Sequence, residues 1–295
     1  MRHCAILTMD CLDDFDEYDA LIQAPLKALG WSSEFVSWRT KNVNWNKFEA
    51  VIIRSPWDYQ EDAESFLSVL AEIERSNARL ENCFDVVRWN INKQYLKELE
   101  SHGVTIVPTY WEASFAKDKV AGYFEHYHCE QLIIKPLISA NADNTFWLDK
   151  SNFYSKLEAL EEVFLGSACM VQPFVQEIIE EGEYSLFYFN GELSHSIVKK
   201  PKSGDFRVQE EHGGLITPTT PEPTLMDCGN KANQVIESIH DVPLFARLDF
   251  VRYKDKFVMM EAELIEPSLY FNMDESSPER FAKAFVKRME GKTNA

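Results

Sequence analysis

The chain has 295 residues, enough for two or three domains with a sizeable core, and its 45% apolar and 13% aromatic content excludes disorder. Its net charge of −18, from 48 acids against 30 Lys plus Arg, argues against nucleic acid or an anionic membrane surface as a partner. Six cysteines without a CxxC pair argue against a zinc ribbon or disulfide framework and suit a reducing cytoplasm; the opening "MRHCAILTMDCLDD" turns acidic too early for a secretory signal, and no apolar run approaches a membrane span.

"HCAILTM" predicts a short apolar strand, followed by an acidic loop and the helical pattern Tyr18, Leu21, Ile22, Pro25, Leu26 and Leu29, closed by Gly30. Pro25 within it predicts a kink or a late start. "SEFVSW" and "EAVIIRS" follow as strands and residues 62–78 as a helix, which implies a mostly parallel α/β domain to about residue 88. Ligands of such domains gather beyond the carboxyl ends of the strands, here "MDCLDDFDE" and "RSPWDY". In the second, Arg54 suits a substrate carboxylate and Asp58 an ammonium, with Ser55 and Trp57 beside them; a capping Asp58 and a packed Trp57 are the competing reading.

Residues 90–107 predict a helix with Lys93 in its first turn. "QLIIKP" and "NTFWLD" read as strands, with Lys135 near the end of the first, where a cation needs a partner, and the small polar loop "SANADN" between them. "SNFYSKLEALEEVF" reads as a helix and "ACMVQPFV" as a strand; Pro173 cannot continue a ladder, which leaves backbone groups for an adenine edge, and Glu183 or Glu177 could accept from ribose hydroxyls. "EYSLFYF" and "ELSHSIVKK" flank Asn190-Gly191, the strongest short hairpin signal in the chain. "VKKPKSGDFRVQEEHGG" then concentrates Lys199, Lys200, Lys202 and Arg207 in an acidic protein, suited to a transferring phosphoryl group or simply solvated, with Gly213 and Gly214 allowing a close backbone approach. Helices over about 225–239 and 278–289 bracket the last motif.

That motif is "LFARLDFVRYKDKFVMMEAELIEP". Alternation puts Phe245, Arg247, Asp249 and Val251 on one face and Ala246, Leu248 and Phe250 on the other. A three-residue loop over 254–256 would pair Tyr253 with Phe257, Asp249 with Glu261 and Arg247 with Glu263, whereas a two-residue loop would pair Asp249 with Met260. The first is preferred because it segregates polar from apolar side chains. It sets like charges opposite each other, which a divalent cation such as Mg²⁺ or Mn²⁺ would resolve; a solvated acidic face is the alternative.

Lys93, Lys135, "MVQPFV" leading to "GEYS", "GDFRVQEEHGG", "ARLDF" and "MEAE", in that order over residues 90–270, resemble the ATP-grasp superfamily. The nearest branch contains prokaryotic glutathione synthetase, the ribosomal-protein glutamate ligase and the cycloserine-forming cyclo-ligase; "RSPWDY", "VVRWNINKQYL" and "ELIEPSLYF" look most like the last group. The resemblance implies an α/β (α+β) ATP-grasp fold: a substrate-binding α/β domain over 1–88, then central (89–175) and C-terminal (176–295) subdomains that clasp ATP. It implies that Lys93, Lys135 and the loop from Ser139 contact the phosphates, that Gln172, Phe174 and Val175 bind adenine, and that Glu183 takes the ribose. Asp249, Glu261 and Glu263 would hold two Mg²⁺ (or Mn²⁺) ions, and Arg207 and Arg247, with Lys199, would stabilise an acyl phosphate and the tetrahedral intermediate. Two features depart from the family: Glu261-Ala262-Glu263 stands where many members have Glu-x-Asn, and the "SANADN" loop is poor in glycine. The expected activity is carboxylate–amine ligation of a small amino-acid-like substrate, intramolecular if the cyclo-ligase likeness extends that far, with a kinase or nucleotide sensor as the alternative class. The family also allows a homodimer.

Overall fold

The computed structural model describes residues 1–139 and 142–291, so Ala140 and Asn141 of the expected phosphate loop lie outside the described residues. Among the described residues no helix is long and apolar enough to cross a membrane.

The first sheet is parallel, with β1 (Arg2–Thr8), β2 (Trp31–Ser37), β3 (Ala50–Ser55) and β4 (Arg79–Glu81) in the order β2-β1-β3-β4. Covered on both faces, β1 and β3 are continuous apolar runs, as parallel strands require. Ala5, Leu7, Val51 and Ile53 pack against Phe66, Leu70 and Ile73 of helix Ala63–Glu74, whose N-cap Asp62 accepts the Ser65 N–H. Cys4, Ile6, Ala50 and Ile52 pack on the other side with Leu26 and, from the far end of the chain, Phe281 and Phe285. Helix Gln23–Ala28 starts late, after a 3₁₀ turn, so Pro25 falls in the first turn, where its missing N–H costs little. The C-terminal helix Ser277–Glu290 returns to this sheet, with Phe285 edge-on to Trp31 at 4.7 Å between ring centres.

The second sheet is antiparallel, with β5 (Tyr110–Glu112), β6 (Gln131–Pro136), β7 (Phe146–Asp149) and β8 (Cys169–Pro173) in the order β5-β8-β6-β7. Helices Val120–Tyr127 and Leu157–Phe164 cover it through Phe124, Leu160 and Phe164. The first of these helices and the three-residue β5 were not anticipated; a strand that short carries no legible alternation.

The third sheet is also antiparallel and has five strands: β9 (Glu183–Phe189), β10 (Glu192–Lys200), β11 (Leu215–Pro218), β12 (Phe245–Tyr253) and β13 (Lys256–Glu263), ordered β11-β10-β9-β12-β13. Asn190 and Gly191 both take left-handed φ, 48° and 84°, as the expected hairpin turn requires. Leu186, Tyr188, Leu248 and Phe250 bury one face beneath helix Pro223–Ile239. On the opposite face Phe187, Phe189 and Phe245 join the core shared with the first sheet. Beside them Glu183, Ser185, Lys199, Arg247 and Asp249 form a polar row.

The β12–β13 hairpin reconciles both registers weighed above. Its loop has two residues, Lys254 and Asp255, both left-handed, so Tyr253 pairs with Lys256. A bulge between Asp249 and Phe250 then makes Met260 the extra residue and restores Asp249 opposite Glu261 and Arg247 opposite Glu263.

The helix expected over residues 90–107 is two helices, Phe84–Asn90 and Tyr95–Ser101, with Lys93 in the turn between them rather than in a first turn. The cause is tertiary. Asn90 donates to the Ala262 carbonyl and accepts the Leu264 N–H, and the Tyr95 hydroxyl accepts the Ala262 N–H, so the break clips the free edge of β13.

Candidate active site

A cleft opens where the three sheets meet. Its walls are β6 with Lys135, the segment following β8, the β9–β10 strands, the 206–211 loop, the acidic face of the β12–β13 hairpin, and the loops beyond β1 and β3 that carry Phe15, Trp57 and Tyr59. Its empty volume, mouth included, is about 1650 Å³.

The polar row forms a chain of alternating charge. Lys199 Nζ lies 2.5 Å from Glu183 Oε1 and 3.5 Å from Asp249 Oδ1. Asp249 also accepts Ser185 Oγ at 2.5 Å and Arg247 Nε at 3.1 Å, and Arg247 continues to Glu263. Across the cleft, Lys93 Nζ donates to Glu261 Oε1 at 2.5 Å and to the Ser139 carbonyl at 2.9 Å. Lys135 is buried, and burial depresses its ammonium, with Glu261 acting in the opposite sense.

Asp249 is buried, whereas the side chains of Glu261 and Glu263 are 28% and 27% exposed, and all three line the cleft. Burial raises the Glu183 carboxyl, and it lifts Glu263 to about 7. Burial acts the same way on Asp249 and Glu261, yet Arg247 and Lys199 pull the first, and Lys93 and Lys135 the second, below the usual range. Among the described residues no three His, Cys, Asp or Glu side chains already converge as a metal cage. The donor set still fits a hard divalent cation, because it consists of carboxylate oxygens alone. Eight acids line the cleft, Asp16, Glu183, Glu210, Glu211, Asp249, Glu261, Glu263 and Glu266, against five cations, Lys93, Lys135, Lys199, Arg207 and Arg247, so among the described residues it is short of positive charge.

The cleft also has an apolar wall of Val107, Val175, Ile178, Val208 and Met260. The ladder runs one residue past Pro173, with the Phe174 N–H on the Gln131 carbonyl at 3.0 Å, so the chain leaves the sheet at Val175 rather than at the proline. Phe174 stacks on Trp147 at 4.6 Å, and Gln172 donates to Thr109. Gly182, at φ 107°, leads into Glu183 where a Cβ would stand 2.7 Å from the Lys199 carbonyl. Gly214 has the same role in the basic loop, its missing Cβ lying 2.0 Å from the Val208 carbonyl. Arg207, on that loop at the cleft mouth, pairs with Asp205 at 2.8 Å and holds the Asp205 carboxyl far below its usual range.

Of the four residues expected to meet substrate beyond β3, Trp57 alone lines the cleft. Arg54 points the other way, fully buried, donating to Asp19 at 2.8 Å and the Pro267 carbonyl at 2.6 Å. Ser55 is buried against Thr8, and Asp58 is tied to Arg39 at 2.5 Å and Trp38 at 2.6 Å. Tyr59, Glu266 and Tyr270 line the cleft instead. Their signal lay in "RSPWDY", where Arg54, Ser55, Trp57 and Asp58 drew the assignment and Tyr59 did not, and in "ELIEPSLYF", which contributed likeness alone.

Residues 4–82 match the family model for the N-terminal domain of D-cycloserine synthetase DcsG. The cycloserine biosynthesis protein DcsG of Streptomyces lavendulae is 28% identical over 292 residues, covering 90% of this chain and 91% of that protein. The crystal structure of D-cycloserine synthetase DcsG superposes with a TM-score of 0.87 at 25% identity, over 98% of this chain and 100% of that one. The ATP-grasp ligase PsnB, complexed with a minimal precursor, Mg and ADP, shares the fold at a TM-score of 0.62 and 12% identity, over 97% and 98% of the two chains.

Proposed function

We propose that this chain, an ATP-grasp protein similar to the cycloserine-forming ligases, closes a ring: one amino-acid-like molecule supplies both the carboxylate that is phosphorylated and the nitrogen that displaces phosphate. The broader activity, ATP-dependent ligation of a carboxylate to an amine, accords with its likeness to DcsG over nearly the whole chain. The observation that carries the reading is the charge-alternating row on the β9–β10–β12–β13 face, acid-rich and open to a cleft that also holds two lysines.

On this reading the apolar wall takes the adenine and Glu183 the ribose, while Lys93 and Lys135 turn to the phosphates. Lys93 then leaves Glu261, which frees that carboxylate. Bound by Asp249, Glu261 and Glu263, Mg²⁺ would supply charge neutralisation between phosphate oxygens. Arg247 and Arg207, with Lys199, would stabilise the negative charge of the acyl phosphate and of the oxyanion of the tetrahedral intermediate formed by the attacking nitrogen. Positioning and electrostatics thus supply the rate, with no protein nucleophile. Residues 1–88 bind the substrate, and 89–175 and 176–295 clasp the nucleotide, in a protein whose six free cysteines suit a reducing cytoplasm. No observation favours a kinase or a sensor.

The test is ADP release with Mg·ATP across pools of amino acids and their ureido, hydroxamate and dipeptide derivatives. Stimulation by a single compound with a cyclic product is expected; an obligatory second compound would turn the reading to intermolecular ligation.

A further inference from the structure

Thr109 is the last residue before β5, and the β5–β8 register that pairs Tyr110 with Val171 sets it beside Gln172. Alternation along β6 and β8 sends Leu132, Ile134 and Val171 under the covering helices and leaves Ile133, Lys135 and Gln172 on the cleft side. The contact between Thr109 and Gln172 has a fixed polarity. A threonine hydroxyl carries one proton, and Thr109 Oγ1 donates it to the Val107 carbonyl at 2.7 Å. Towards Gln172 the hydroxyl is then an acceptor only, so the amide turns Nε2 to it, at 2.9 Å, and the oxygen Oε1 remains for a ligand. The Val107 carbonyl is itself held in place. The Val107 N–H donates to the Met259 carbonyl at 3.0 Å and the Met259 N–H to the Thr105 carbonyl at 2.9 Å, which ties residues 105–107 to β13. Gln172 is 3% exposed, so reversing its amide would set Oε1 against the Thr109 lone pairs with little water to compensate.

We propose that Thr109, which is not among the residues lining the cleft, is the positioning residue that sets the base specificity of the nucleotide site. By holding the Gln172 amide in one orientation it presents an acceptor, which suits the exocyclic amino group of adenine and opposes the carbonyl oxygen at the same place in guanine or hypoxanthine. This rests on the reading above that the nucleotide enters this cleft with its base against the apolar wall. An oxopurine would fit only with the amide reversed. That requires Thr109 to turn its proton from Val107 to Gln172 and leaves the Val107 carbonyl unpaired.

The experiment needs no amino-acid substrate: calorimetric titration of the full chain with Mg·ADP and with Mg·inosine diphosphate, which carries a ring carbonyl and N–H where ADP has its amino group and bare nitrogen. Wild type is expected to bind ADP about 10- to 100-fold more tightly, the scale of leaving one buried polar group unpaired. Thr109→Val, close in shape but without the hydroxyl, should bring that ratio to within about threefold, whereas Thr109→Ser, which keeps the hydroxyl, should retain it. A wild type that binds both nucleotides alike would overturn the assignment. So would a Thr109→Val variant whose ratio is preserved, whether or not both affinities fall together, because a merely structural role moves both equally. A Thr109→Ser variant that loses the preference would overturn it too, since the hydroxyl would not be the cause. No binding of ADP to wild type would overturn the nucleotide reading itself.

Discussion

Two assemblies of buried charge differ sharply in this molecule. Arg54 and Asp19 form a closed pair at the junction of the first sheet with the C-terminal segment, one cation to one acid, with the guanidinium 4.8 Å from the Phe245 ring centre and a further bond to the Pro267 carbonyl. The row from Glu183 through Lys199, Asp249 and Arg247 to Glu263 is open on one side, and with Glu261 and Glu266 its acids outnumber the cations around them. Both carry the cost of desolvated charge. Burial alone therefore does not mark a site. Imbalance together with access to a cleft does, because an excess of one sign is relieved only by something that enters.

The largest effect expected from breaking this contrast is in the open row. Glu261→Gln should lower ADP release by about 10²- to 10³-fold or more while the thermal melt stays that of a folded protein; an unimpaired rate would remove Glu261 from the site. In the closed pair, Arg54→Met should cost about 3–5 kcal/mol in urea denaturation, because Asp19 is left buried without its partner, with the KM for ATP of the folded fraction unchanged. A raised KM for the amino-acid substrate without loss of stability would make Arg54 a substrate anchor after all.

A pH effect on the same third sheet follows. His195 stacks on Phe187 at 4.2 Å, bonds the Leu269 carbonyl, and is lowered to about 4 by burial, with Asp274 and Arg280 acting in opposite senses. Its folded value lies below that of the free side chain, so the contribution is complete above about pH 6.5 and lost as pH falls towards 4, amounting to about 3 kcal/mol. His195→Phe should flatten that slope in stability measured between pH 4 and 7. The smallest effect belongs to Asp58, which ties Arg39 and Trp38 outside the cleft: Asp58→Asn should change stability by about 1 kcal/mol or less and ADP release by less than about threefold.

Several features were legible from local sequence alone. Period-two alternation put Arg247 and Asp249 on the face opposite Leu248 and Phe250, Asn190-Gly191 specified its hairpin, and Lys135 at the end of an apolar strand announced a cation in need of company. Each depends on neighbours a few residues away, where chain geometry leaves few options. The bulge at Met260 was not legible, since two-residue turn chemistry and the pairing of Asp249 with Glu261 conflict until one residue is set aside. Nor was the helix break at Lys93, which exists because Asn90 must cap the edge of a strand 172 to 174 residues further on. Arg54 turned inward and Glu266 towards the cleft for the same kind of reason. By itself the sequence determined the longer strands, their faces and the order of the charged motifs, because these follow from backbone sterics and local pairing. Only the tertiary structure decided which charges are paired and sealed and which are left open to a ligand, because that depends on contacts between segments far apart in the chain.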